Sequence, residues 1–125
     1  MASVFLGVPD TSAEPAGRTL YLQHCASCHG EQLQGQPDWQ KRKQDGLLPA
    51  PPHDATGHTW HHSDDQLFDI TKMGVQALVP GYRSAMPAFG GVLSDQEIRA
   101  ILAYIKSTWP DEQRSFQNSK SGRSP

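Results

Sequence analysis

Cysteine is scarce in this chain. There are two among 125 residues, and both sit in one short run at Cys25 and Cys28. That leaves no thiol for a structural disulfide, so a disulfide-stapled scaffold is excluded. It also leaves no second pair, which a four-cysteine zinc site would require. Long apolar runs are missing as well. The longest fairly apolar stretch near the N-terminus, Val4 to Val8, is far too short to span a bilayer or to form the core of a signal peptide. No charge of one sign dominates: 11 Lys and Arg stand against 13 Asp and Glu, for a net −2. No whole-molecule field for nucleic acid follows from that balance. Internal repeats are absent. Hydrophobic residues make up only 36% of the chain, little for a domain that must bury a core unaided, and the length suits one domain.

What is present is concentrated in Cys25-Ala-Ser-Cys28-His29. C-x-x-C-H is the attachment signature of a c-type haem. Each thiol can add to one porphyrin vinyl group, and the histidine that follows stands under the iron as an axial ligand. A redox dithiol is the competing reading. It lacks the βαβ pattern of a thioredoxin-like fold, and it does not explain the histidine. One haem would also supply the missing apolar mass, and its propionates would leave the protein mildly acidic. Haem c is normally attached outside the bacterial cytoplasm. The expected location is therefore periplasmic or otherwise extracytoplasmic, with a signal peptide or anchor removed and Met1 not the native start.

The rest of the chain reads as helices separated by long loops. Residues 1–14 are small and polar and are expected to be flexible. A helix follows from Pro15 to about Cys25, with Gly17, Leu20 and Tyr21 on one face. Gly17 costs about 1 kcal/mol of helix propensity, which suggests that something packs close against it. Residues 30–62 form a long loop rich in Gly, Pro and Gln, with a short helical turn near Trp39 to Lys43; wrapping a planar cofactor would justify it. Ser63-Asp64-Asp65-Gln66 and Ser94-Asp95-Gln96-Glu97 are two capping boxes, each opening a helix. The first would bury Leu67, Ile70 and Met73 and stop at Gly74. The second would bury Ile98, Ile101, Leu102, Ile105 and Trp109 and stop at Pro110. Residues 111–125 are expected to be a disordered tail. The cofactor domain is thus expected at 15–110.

The iron's sixth position decides the function. A soft thioether there favours the ferrous state and raises the potential. The methionines are Met1, Met73 and Met86. Met1 lies in a frayed terminus, and Met73 reads as a core residue. Met86 lies in a loop stiffened by Pro87.

Taken together, Gly17 and Tyr21 ahead of Cys25-Ala-Ser-Cys28-His29-Gly30, then Met86-Pro87-Ala88-Phe89, then Leu93 to Ile98 and Ile101 to Ser107, resemble the class I c-type cytochromes. The resemblance is specifically to small bacterial mono-haem members. The resemblance spans residues 15–109. It implies an all-α fold of three main helices plus long loops around one covalently bound haem, with the N- and C-terminal helices crossing near Gly17, Tyr21 and Tyr104. It implies His29 and Met86 as axial ligands. It also implies a one-electron carrier between redox partner proteins, not an enzyme in itself, although it could be the electron-entry domain of a larger oxidoreductase. A proline carbonyl often accepts from the proximal imidazole in this family. Here Pro49, Pro51 and Pro52 are all candidates.

Other residues carry weaker readings. Trp60 and Arg83 are candidates for haem propionate contacts, through an indole N–H and a guanidinium fork. His53, His58, His61 and His62 crowd into ten positions. His58 and His61 have a spacing that could share copper or zinc, yet a polar loop near the propionates is the simpler reading. His61 or His62 is the alternative sixth ligand. Lys41-Arg42-Lys43 is either a solvated face or a docking patch for an acidic redox partner. No nucleic acid or membrane partner is expected, and a monomer is the default. The alternative function is a haem-based ligand binder, sensor or peroxidase-like protein with a labile sixth ligand.

Overall fold

A computed structural model describes residues 13–120. The expected flexible segment lies outside the described residues except for its last two, which begin a helix. Six helices follow in order: α1 Ala13–His24, α2 Ala26–His29, α3 Asp64–Met73, α4 Val75–Leu78, α5 Asp95–Ser107 and α6 Asp111–Lys120. A 3-10 turn at Thr59–His61 precedes α3. Among the described residues there is no strand, and no helix is long and apolar enough to cross a membrane. The expected turn near Trp39 to Lys43 is a hydrogen-bonded turn, closed by the Lys41 N–H on the Asp38 carbonyl (2.9 Å), and not a helix.

Both capping boxes form. Ser63 accepts from the Gln66 N–H while the Gln66 side chain accepts from the Ser63 N–H, and Ser94 and Glu97 do the same. Each box satisfies two N-terminal N–H groups that the helix itself cannot pair. Gly74 ends α3 as read from sequence.

The core is Tyr21, Leu33, Phe68, Phe89, Leu93, Ile98, Ile101, Ile105 and Trp109. Helices α1 and α5 meet at its centre. A Cβ on Gly17 would lie 2.1 Å from the Ala100 carbonyl oxygen and 2.9 Å from the Tyr104 Cβ, so only glycine lets the two backbones approach this closely. The Tyr21 and Tyr104 rings are tilted against each other 5.7 Å apart.

Two expectations are corrected. Helix α3 buries Phe68 and Thr71 instead of a Leu67, Ile70 and Met73 face, and Met73 is 50% exposed. Residues 111–120 are a helix and not a disordered tail; 121–125 lie outside the described residues. Helix α6 is polar, and its anchor is polar too. The wholly buried Gln117 donates from Nε2 to Asp64 Oδ1 (2.7 Å) and to the His62 carbonyl (3.1 Å). Lys106 on α5 reaches both Asn118 Oδ1 (2.5 Å) and Asp64 (3.7 Å), binding three helices at one point.

Candidate haem site

The C-x-x-C-H run forms the junction of α1 and α2. The Cys25 N–H continues α1 by donating to the Tyr21 carbonyl (2.8 Å), and the Cys25 carbonyl accepts from His29 N–H (2.9 Å). One tight turn therefore carries both thiols and the imidazole. The Tyr21 hydroxyl closes it from below by donating to the Gly30 carbonyl at 2.7 Å. Both cysteines are free thiols; Cys25 is half-buried and Cys28 exposed. Burial, and secondarily the charge of Cys28, pushes the Cys25 thiol up to about 11. A redox dithiol needs the opposite shift, because the thiolate is the reactive form. The local electrostatics thus argue against that reading.

His29 is buried and its Nδ1 lies 2.8 Å from the Pro51 carbonyl. A carbonyl only accepts, so Nδ1 carries the proton and Nε2 keeps its lone pair. Burial lowers the affinity of the ring for a second proton, and the bond to Pro51 partly opposes that shift. A neutral imidazole with one fixed N–H and one free lone pair is what an axial iron ligand must be. Of the three candidate prolines, Pro51 alone makes this bond among the described residues.

Pro51 is delivered by two segments of the long loop that run side by side. The Gln36 N–H donates to the Ala50 carbonyl (2.9 Å), His53 N–H to Leu33 (2.9 Å) and Gly35 N–H to His29 (2.7 Å). The Gln36 side chain accepts from the Ala50 N–H at 2.7 Å. His53 lies against His29 with ring centroids 4.0 Å apart, and its Nδ1 is 2.7 Å from the Thr59 hydroxyl. Burial, followed by the neighbouring His29, lowers His53 to about 3. The two rings are neutral together at pH 7. Trp109 locks this loop to the end of α5, its indole N–H donating to the His53 carbonyl at 2.7 Å.

Met86 lies on a second loop, between α4 and α5. That loop is tied down at its ends: Phe89 N–H donates to Thr71 (3.0 Å) and Gly90 N–H to Lys72 (3.0 Å). Thr71 and Lys72 sit in the last turn of α3, whose carbonyls have no partner within the helix. Upstream, the Gln76 side chain on α4 accepts from the Ser84 N–H, and the Ser84 hydroxyl accepts from the Met86 N–H. Met73, Leu78 and Val79, on the α3–α4 segment to which this loop is tied, are 50%, 40% and 48% exposed. Met86, Cys25, Ala26 and Trp60 all border the one apolar core. The donor set and the apolar border both fit a haem.

Trp60 and Arg83 are already engaged elsewhere. The Trp60 indole donates to the Ala55 carbonyl at 3.1 Å, and Arg83 donates to the Asp45 carbonyl at 2.8 Å. Lys41, Arg42 and Lys43 are exposed; Arg42 donates to Gly46 and Lys43 faces Asp45 at 3.9 Å. His53 and Thr59 were not picked out by sequence reasoning as supports of His29. The Pro-Pro-His run at Pro51 was the signal available.

Residues 12–105 match the family described as cytochrome C oxidase, cbb3-type, subunit III. The chain is 29% identical over 96 residues to the cbb3-type cytochrome c oxidase subunit CcoP of Azospirillum brasilense, covering 77% of this chain and 28% of that protein. It is 28% identical over 97 residues to subunit FixP of Azorhizobium caulinodans, covering 77% of this chain and 27% of that protein. The chain thus spans under a third of these relatives' length. Among solved structures, cytochrome CL of the marine methylotroph Methylophaga aminisulfidivorans superposes with a TM-score of 0.59 at 23% identity, over 86% of this chain and 62% of that one. That likeness establishes a class I cytochrome c fold.

Proposed function

Because the chain belongs to the cbb3-type cytochrome c oxidase subunit III family, we propose that it is a mono-haem c electron-transfer domain with His29 and Met86 as axial ligands. Haem c, when bound, supplies one iron that takes up and gives up a single electron. Cys25 and Cys28 would hold it covalently. With only these two cysteines in the chain, one haem is the complement. His29 offers Nε2 in a fixed orientation, because its other nitrogen is committed to Pro51. Met86 offers a thioether, which favours the reduced iron. The frame of α1, α5 and the two loops keeps its shape when charge changes, so little reorganisation accompanies transfer.

The cytochrome domain occupies about residues 15–110, with α6 added to it. Trp60 and Arg83 stay in the proposal as propionate contacts, for which the Trp60 indole N–H would have to leave the Ala55 carbonyl and Arg83 to share its fork with the Asp45 carbonyl. The relatives' names point to work inside a larger oxidoreductase, so this domain would pass electrons between partner proteins and make no bond itself. They lend no support to a solitary monomer. An extracytoplasmic location follows from the haem attachment.

The single observation that carries this reading is the His29–Pro51 bond within the C-x-x-C-H turn. An optical spectrum of the purified protein tests it. A c-type haem at one per chain, low-spin in both oxidation states, with an iron–thioether charge-transfer band and no response to carbon monoxide, is the expected result. A high-spin spectrum or prompt carbon monoxide binding overturns Met86 as a ligand.

A further inference from the structure

We infer that His58 and His61 form a surface chelate for a late first-row divalent cation, cupric ion most tightly. The site rests on the proposed His29 and Met86 ligation only in that His61 is then left free of the iron.

His58 caps the 3-10 turn Thr59–His61, and the His61 N–H donates to the His58 carbonyl at 3.0 Å. In a 3-10 turn, side chains at i and i+3 eclipse. The two imidazoles accordingly stand side by side, centroids 5.3 Å apart and planes at 50°. A metal–nitrogen bond of about 2.1 Å puts an ion roughly 3.2 Å from each centroid. Rings 5.3 Å apart leave room for one ion to be shared, and both side chains, being exposed, can turn their nitrogens toward it.

Aromatic neighbours hold the pair. Trp39 meets His58 edge-on at 5.4 Å, while Trp60 packs on His61 at 4.0 Å and Phe116 approaches it at 5.9 Å. Phe116 is supplied by α6, which the buried Gln117 fixes in place. Both histidines are exposed, so an ion has an entry path. Among the described residues no third His, Cys, Asp or Glu completes a ligand group, so water would fill the remaining positions. Two imidazoles and water suit copper, nickel and zinc, and the Irving–Williams order places cupric ion first.

Ferric holoprotein titrated with Cu2+ against a competing chelator tests the site, with electron paramagnetic resonance counting the bound nitrogens. One tight Cu2+ per chain with two imidazole nitrogens is expected. His58→Ala and His61→Ala should each weaken binding at least about tenfold, while His24→Ala should not. Unchanged haem spectra and circular dichroism show that the variants are folded. An unaltered affinity in either His58→Ala or His61→Ala, or a two-nitrogen signal that survives in either, overturns the proposal.

Discussion

On the side of His29, the ring nitrogen is bonded to the Pro51 carbonyl, and the two backbone segments behind that carbonyl are bonded to each other and to His29 itself. On the side of Met86, no hydrogen bond among the described residues braces the thioether. Its loop is held at its ends, through Phe89 and Gly90 to α3 and through Ser84 to α4. The first side fixes a side-chain orientation; the second fixes only the path of the chain. Under the proposed ligation, the histidine is expected to stay on the iron and the methionine to yield when the protein is strained.

The largest break in this contrast comes from His29→Ala. It removes the nitrogen that would hold the iron, together with the ring that bonds Pro51 and lies against His53. No stable low-spin holoprotein is expected from expression with haem attachment, measured by pyridine haemochrome yield. Recovery of a normal low-spin spectrum would show that another group holds the iron. Met86→Ala ranks next. Haem should remain attached in normal yield, while the potential falls, the charge-transfer band vanishes and carbon monoxide binds. A variant with unchanged potential and no carbon monoxide binding would remove Met86 from the axis.

How much of this contrast is legible in the sequence follows from which forces are local. Ser63 with Gln66 and Ser94 with Glu97 announce their helices, because a capping box is made within four residues. Gly17 announces the helix crossing, since its propensity cost needs a reason. The choice of Pro51 over Pro49 and Pro52 is not legible, because it depends on how residues 30–36 register against 50–53. Helix α6 escapes for another reason. It has no apolar stripe, and its anchor is an amide, Gln117, that meets Asp64 some fifty residues away. Pro110-Asp111-Glu112, a proline followed by acids at the first turn, was the faint signal available. Met73 misleads because its spacing suits a buried face, while the packing turns Phe68 and Thr71 inward instead.

The same substitution on each loop sharpens the comparison. Gly35 and Gly81 both have positive φ, +72° and +81°. A Cβ on Gly35 would lie 2.5 Å from Pro52 N, inside the His29 brace; on Gly81 it would meet nothing within 4 Å. Gly35→Ala adds overpacking to backbone strain and should cost about 3 kcal/mol. Gly81→Ala should cost about 1 kcal/mol, from strain alone. Thermal or denaturant unfolding of the two variants reads the difference directly. Equal losses would mean that the segment behind Pro51 adapts as freely as the Met86 loop, and the contrast drawn above would not hold.

The smallest effect separates the loop from the helix that anchors it. Ser63→Ala and Ser94→Ala each remove an N-cap acceptor, and each should cost about 1 kcal/mol of global stability. Only α3 lends its last-turn carbonyls to the Met86 loop, through Thr71 and Lys72. Loosening α3 should therefore speed the exchange of the sixth ligand, read as the rate at which imidazole or cyanide enters the ferric protein. Loosening α5 by the same amount should raise that rate less, because α5 packs chiefly on α1 and reaches α3 through side chains, Lys72–Asp95, Arg99 over the Phe68 ring and Lys106–Asp64, without lending a backbone carbonyl to Met86 or its neighbours. Equal ligand-entry rates in the two variants would mean that Met86 responds to global stability and not to its tether on α3.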